Sequence, residues 1–304
     1  MDIKKIECYK CKKLLAENLV LPKGLCVYCA ADEADQLPEP KKQQKKPDQG
    51  QIRAEQELAM RILARKRMLP FVEKFNPDYQ AGWVHKDICQ RLEKFSQDVS
   101  EKKSPRLMLF MPPRHGKSTL ASVAFPAWHL GRNPGHEFIS CSYSGSLAMS
   151  FSRKVRQVLR EPTYKTIFEK SRLDKDSQSV ESWQTTQGGG YVAAGVGGGI
   201  TGKGAHVLLI DDPIKNREDA ESENNREATW DWYTSTAYTR LSPGGGILVI
   251  LTRWHDDDLA GRLLTAGESG ADDWEVVKYP AIAEEDEEFR KQGEPLHPER
   301  YNHE

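Results

Sequence analysis

The stretch from Arg106 to Thr119 does most to limit how this chain can fold. Arg106-Leu107-Met108-Leu109-Phe110-Met111 is an apolar run of strand length that breaks at Pro112-Pro113. Arg114-His115-Gly116-Lys117-Ser118 follows, and Thr119 to Leu130 reads as a helix. Strand, tight loop and helix in that order form a phosphate-binding loop. Backbone N–H groups and a helix N-terminus face the phosphates, a lysine reaches the β and γ phosphates of ATP, and a hydroxyl holds Mg²⁺. Gly116, Lys117 and Ser118 supply these features in order. The usual pattern has glycine where this chain has Met111, and the two prolines remove two donors. The cradle therefore rests on the amides of Arg114, His115, Gly116, Lys117, Ser118 and Thr119. The rival reading is a chance Gly-Lys-Ser in a loop, which the flanking strand and helix disfavour.

A second apolar run, His206-Val207-Leu208-Leu209-Ile210, ends in Asp211-Asp212-Pro213. Paired with the phosphate loop, Asp211 is assigned to the Mg²⁺ shell and Asp212 is the candidate base for the attacking water. Read alone, the two acids are solvated carboxylates at a strand end. A third run, Gly246 to His255, reads as a further buried-type strand that ends in a polar Thr252-Arg253 at the side where ligands bind in open α/β sheets. Thr252 there is either a sensor of the γ-phosphate or a cap for a helix starting near Asp256.

Strand and helix signals alternate through Glu137–Ser142, a helix from Ser146 to Arg160, and a short strand Tyr191–Ala194 set among glycines. That alternation predicts an α/β fold with a mainly parallel sheet flanked by helices. The glycine-rich stretch from Gly188 to Gly204 is expected to be a mobile loop, with tight turns as the alternative. Before the phosphate loop, Gln51 to Met68 reads as a basic helix. Ile88, Leu92, Phe95 and Val99 mark a second, amphipathic one. Tyr79, Gln80, Trp83 and His85 lie between them and form either a purine contact or a helix-entry packing cluster.

The amino-terminal segment follows different rules. Cys8-x2-Cys11 and Cys26-x2-Cys29, fourteen residues apart, have the spacing of a four-thiolate Zn²⁺ site. A segment this short cannot bury a core, so a structural metal is the physical reason for it. Residues 1–31 are thus expected to be a zinc ribbon and 32–50 a flexible linker. Residues 51–280 form the main domain, opening with helices over 51–104. Cys89 and Cys141 sit in apolar patterns and read as buried thiols.

Residues 267–304 hold twelve acidic against four basic side chains, so the first 266 residues carry a net +7. A basic body is compatible with a phosphate-backbone partner. No apolar run approaches the roughly 20 residues of a membrane span, and the polar start is no signal peptide, which together predict a cytoplasmic protein. The acidic tail from Glu284 is expected to be loosely structured, with 281–304 an acidic linker.

Three motifs together resemble the large terminase subunit of tailed bacteriophages over residues 70 to 300. They are Arg-His-Gly-Lys-Ser at 114–118, Gly-Gly-Gly-Ile-Thr-Gly-Lys-Gly running into Val-Leu-Leu-Ile-Asp-Asp-Pro-Ile-Lys-Asn, and Leu-Thr-Arg-Trp-His-Asp-Asp-Asp-Leu-Ala-Gly-Arg-Leu. The resemblance implies a P-loop ATPase of the additional-strand, ring-forming type that drives double-stranded viral DNA into a procapsid in the host cytoplasm. The implied partners are the portal protein and procapsid, the small terminase subunit, and copies of the chain itself, a ring of five on the portal against a monomer in solution. It makes Lys117 and Ser118 the phosphate and Mg²⁺ groups, Arg114 the extra loop arginine and Asp211 the Mg²⁺ acid. Asp212 stands where the family often has glutamate, and Thr252 and Arg253 fall in the segment coupling hydrolysis to movement. Lys203, Arg156 and Arg240 are the candidates for a finger reaching a neighbouring subunit. Full-length relatives carry an RNase-H-like nuclease, so this chain is expected to be the ATPase portion without DNA-cutting activity. The competing classes are another nucleic-acid ATPase such as a helicase, and a zinc-ribbon adaptor that binds nucleotide without turnover.

Overall fold

The computed structural model describes residues 5–7, 12–16, 20–21, 25–26 and 49–301. Near the amino terminus two short antiparallel pairs form, Lys5–Glu7 with Leu14–Ala16 and Val20–Leu21 with Leu25–Cys26. Cys8, Cys11 and Cys29, the Cys26 side chain and residues 31–48 lie outside the described residues, and with them the zinc site and the linker.

Among the described residues the main sheet has eight strands. They are β1 (Arg106–Phe110), β2 (Glu137–Ser142), β3 (Leu173–Gln178), β4 (Ser182–Thr185), β5 (Gly190–Gly195), β6 (Ala205–Asp211), β7 (Leu241–Leu251) and β8 (Glu275–Lys278). Their order across the sheet is β8-β1-β7-β6-β2-β5-β4-β3. The first six run parallel, and β4 and β3 extend one edge antiparallel. The phosphate-loop strand β1 and the acid strand β6 are not neighbours: β7 is inserted between them. This is the additional-strand arrangement, and it brings the ends of β1, β7 and β6 side by side at the carboxyl edge of the sheet.

The helices in chain order are α1 (Gln49–Lys66), α2 (Met68–Phe75), α3 (Trp83–Ser100), α4 (Phe125–Arg132), α5 (Gly145–Arg160), α6 (Pro162–Ile167), α7 (Arg217–Glu221), α8 (Glu223–Trp232) and α9 (Leu259–Glu268). Side chains alternate across a strand, so each central strand feeds two cores. Leu107, Leu109, Val207, Leu209, Leu248 and Ile250 face the layer holding Ile88, Leu92, Phe95, Phe125, Trp128 and Val155. Met108, Phe110, Leu208, Ile210, Val249 and Leu251 face Trp232, Tyr233, Leu259 and Leu263. Trp128, fully buried, donates to the Ala64 carbonyl at 3.0 Å and ties α4 to α1. Gly246 lets α3 lie against β7: a Cβ there would come within 2.6 Å of the Phe95 ring and 2.8 Å of Val99.

Several expectations need correction. The helix expected from Thr119 opens as a π-helical turn, Thr119–Ala124, before α4. The third strand stops at Leu251, leaving Thr252 to His255 in a loop. Helix α9 starts at Leu259 under an Asp258 cap that accepts from the Gly261 amide at 2.9 Å, so Thr252 caps nothing. The glycine-rich stretch folds as turns on either side of β5.

The acidic tail is not loose over residues 281–301. Ile282 and Pro295 form a bridge, and the Leu296 amide donates to the Ala281 carbonyl at 2.8 Å. Arg290, 4% exposed, pairs with Glu287 at 2.6 Å and lies over the Trp83 ring. Ala283, Pro295 and Leu296 are buried, while Ile282 and Phe289 stay about half exposed, Phe289 with one face on the Trp83 ring of α3. The tail's overall charge does not report that arrangement.

Candidate active site

The loop between β1 and the π-helical turn is built by its carbonyls. His115 donates from Nδ1 to the Pro113 carbonyl at 2.9 Å. Tyr301 donates to the Arg114 carbonyl at 2.9 Å, and the Leu120 amide donates to the Gly116 carbonyl at 3.0 Å. His85 completes the set. Its Nδ1 accepts from the Gly82 amide at 3.0 Å, which fixes the proton on Nε2, and Nε2 donates to the His115 carbonyl at 3.2 Å. In a trans peptide the carbonyl and the next amide point opposite ways. Anchoring these carbonyls therefore turns the amides of Arg114, His115, Gly116 and Lys117 to the other side of the loop, as an anion-binding nest requires. Two left-handed residues make the turn, Arg114 at φ 65° and Gly116 at φ 86°. Gly116 adopts that φ freely, whereas Arg114 stores about 1 kcal/mol there.

Lys117 is 7% exposed and extends from this loop to the carboxyl ends of β7 and β6. Its Nζ contacts Asp212 at 2.8 Å and donates to Thr252 Oγ1 at 2.6 Å. The Thr252 amide donates to Asp212 Oδ1 at 2.8 Å. Lys117, Asp212 and Thr252 thus form a closed triangle over the ends of β1, β6 and β7. Asp212 has a φ of 45°, a left-handed conformation that aspartate tolerates better than most residues. Its backbone is pinned on both sides, by its own amide to the Ile250 carbonyl at 2.9 Å and by the Tyr143 amide to its carbonyl at 3.1 Å.

Asp211 behaves differently from its neighbour. It is 1% exposed and accepts from Ser122 at 2.5 Å, while its Oδ1 has no hydrogen-bond partner among the described residues. Burial, then the adjacent Asp212 charge, pushes its pKa up to about 7, against the Ser122 and Ser118 hydroxyls and Lys117. A buried carboxylate oxygen without a partner, with the Ser118 hydroxyl nearby, is an all-oxygen donor set that fits a hard divalent cation such as Mg²⁺. Ser122, one helical turn beyond Ser118, escaped the sequence reading because a small polar residue inside a helix looks like core filler. Its only signal is the i, i+4 spacing from Ser118.

After Thr252 the chain turns away. Arg253 lies against Asp258 at 2.6 Å, with poor N–H alignment but close charge contact, and over the Phe110 ring at 5.2 Å. It also donates to the His255 and Asp256 carbonyls. The loop is thereby fastened to the start of α9. Beside Asp212 opens a cavity of about 680 Å³ lined by Tyr143, Ser144, Gly197, Pro213, Lys215 and Asn225, among others.

The four purine-contact candidates separate. Tyr79 has a buried hydroxyl without a partner among the described residues, and a Cβ on Gly116 would lie 3.7 Å from it. Gln80 is exposed beside it. Trp83 is stacked on Phe289 at 5.0 Å, and both ring nitrogens of His85 are engaged, so these two serve packing and the loop itself. The finger candidates lie away from this site. Lys203 and Arg240 precede β6 and β7 at the opposite edge of the sheet, about 20 Å or more along the strands. Arg156, within α5, donates to the Ser179 carbonyl at 2.9 Å.

The family comparison agrees with this geometry. The family described as terminase large subunit, T4likevirus-type, N-terminal, matches residues 108–304. Among solved structures, the large terminase of bacteriophage HK97 aligns over 73% of this chain and 45% of its own, at 15% identity and a TM-score of 0.47. The large terminase of a thermophilic bacteriophage, solved in complex with ADP, aligns over 62% and 44%, at 11% identity and a TM-score of 0.38. Among curated proteins, replication factor C subunit 5 of Mus musculus is 43% identical over 63 residues, 20% of this chain and 18% of that protein. The chain spans less than half the length of the two phage proteins and under a fifth of the replication factor subunit.

Proposed function

Because the chain belongs to the large terminase subunit family, in its T4-like amino-terminal part, we propose that it is the ATP-hydrolysing motor that moves double-stranded viral DNA into a procapsid. The observation that carries this reading is the triangle of Lys117, Asp212 and Thr252, with contacts of 2.6 to 2.8 Å. It joins a phosphate-loop lysine, an acid and a hydroxyl from three adjacent strands, the groups that phosphoryl transfer to water needs.

In this reading the turned amides of residues 114–117 hold the β and γ phosphates, and Lys117 leaves Asp212 and Thr252 to meet them. Ser118 and Asp211 hold Mg²⁺. Bound there, the ion neutralises charge on the phosphate oxygens. Once Lys117 has gone, Asp212 is free to accept a proton from the attacking water and Thr252 to face the γ-phosphate. Arg114, exposed on the loop, adds a cation for the charge that develops in the transition state. The release of Thr252 passes through the Arg253–Asp258 pair into α9, a physical route from hydrolysis to movement. The portal protein, procapsid, small subunit and ring of copies are proposed partners on the family's account.

Asp212→Asn tests the base. It keeps the shape of the triangle and removes the proton acceptor, so ATP hydrolysis is expected to fall by about two orders of magnitude or more. Hydrolysis retained in that variant moves the role to another acid, for instance Glu218 or Glu221 on α7.

A further inference from the structure

We infer that the segment from Ala281 to Tyr301 is a working part of the phosphate loop, and that Tyr301 is a positioning residue for nucleotide binding. This rests on the nucleotide reading of the loop given above. Tyr301 lies 187 residues beyond Arg114 and donates to its carbonyl at 2.9 Å. The ring of the same tyrosine packs on His115 with centroids 4.6 Å apart. Four residues earlier His297, 3% exposed, sits edge-on against His85 at 4.6 Å. His85 is the residue that donates to the His115 carbonyl. The segment therefore holds two consecutive loop carbonyls, Arg114 directly and His115 through His85.

Peptide planarity turns that hold into a binding effect. Fixing the Arg114 and His115 carbonyls outward fixes the His115 and Gly116 amides toward the bound anion. Arg114 needs such a hold more than most residues, because its φ of 65° is costly without outside contacts. The segment is itself well anchored, with Leu296 fully buried and Phe289 stacked on Trp83 at 5.0 Å. Tyr301 thus acts from a fixed base. The loop and segment share one equilibrium: an anion that favours inward amides favours a docked segment, and a docked segment favours the anion by the same factor.

The test uses the full chain, with ADP and Mg²⁺ as probe. Calorimetric affinities are measured for wild type, Tyr301→Phe, Tyr301→Ala and Lys117→Ala, and amide exchange over 281–301 is followed with and without ADP. Tyr301→Phe keeps the ring and loses one hydrogen bond, and it is expected to weaken ADP binding about three- to tenfold. Tyr301→Ala should weaken it further, and ADP should slow exchange over 281–301 in wild type. A segment that only covers the surface would show no such slowing. Tyr301→Phe within about twofold of wild type, or unchanged exchange on adding ADP, overturns the inference. If Lys117→Ala also binds like wild type, the nucleotide reading itself is what has failed. If only Lys117→Ala loses binding, the failure belongs to the segment alone.

Discussion

At the scale of single residues, the two adjacent acids at the end of β6 are given opposite environments by one backbone feature. Asp211 ends the strand and points into the buried polar gap beside Ser122 and Ser118. Asp212, at φ 45°, swings its carboxylate across the sheet edge to Lys117. Their place at the sheet edge was legible because both follow an apolar strand, as Lys117 and Thr252 follow theirs in loops at the same edge. Ser122 was not legible, since its importance comes from a contact with a strand 89 residues away. Ser122→Ala should leave a buried carboxylate with neither oxygen well paired and destabilise the fold by about 1–3 kcal/mol. Urea unfolding measures this, and a loss below about 0.5 kcal/mol would show that Ser122 does not hold Asp211.

At the scale of elements, the central parallel strands were legible from hydrophobic runs because both faces are buried. The β3–β4 hairpin was not, because Leu-Asp-Lys-Asp-Ser-Gln shows neither an apolar run nor alternation. The start of α9 was missed by a few residues because Asp256, Asp257 and Asp258 are all capping residues by type, and only tertiary contacts choose among them. Asp257 goes to Arg226 and Arg262, at 3.0 and 2.8 Å, where those guanidinium groups hold its pKa at about 2. Asp258 takes the cap and Arg253. Asp258→Ala should therefore cost about 1 kcal/mol for the cap, with more from the stranded Arg253. Asp256→Ala should cost a few tenths at most. Thermal unfolding of the pair checks this, and equal effects would contradict the assignment.

At the scale of the whole molecule, the sheet order puts the phosphate loop, the acids and Thr252 at one edge, while a histidine cluster lies at the other. His129 is fully buried, with Nδ1 on Ser96 at 2.8 Å and Nε2 on His136 at 3.1 Å, and His136 stacks on His206 at 4.4 Å. Burial lowers His136 to about 4 and His129 well below its ordinary 6.5, with neighbouring histidines adding to both. The unfolded chain thus takes up protons first as pH falls. Stability from these neutral histidines is complete above about pH 6.5 and declines from there toward about pH 4. Melting temperature should drop over that range, and drop less in His136→Gln; parallel pH profiles for the two proteins would contradict this. What composition left open at this scale was the acidic tail, whose sequence reads as solvated charge but whose described residues close over α3 and the phosphate loop.

The central claim is that this chain turns over ATP at the loop carrying Lys117. The most direct measurement is Mg²⁺-dependent ATP hydrolysis, with double-stranded DNA present, by wild type and Lys117→Ala. The account predicts a fall of about 100-fold or more in the variant. Equal rates for the two proteins would contradict it.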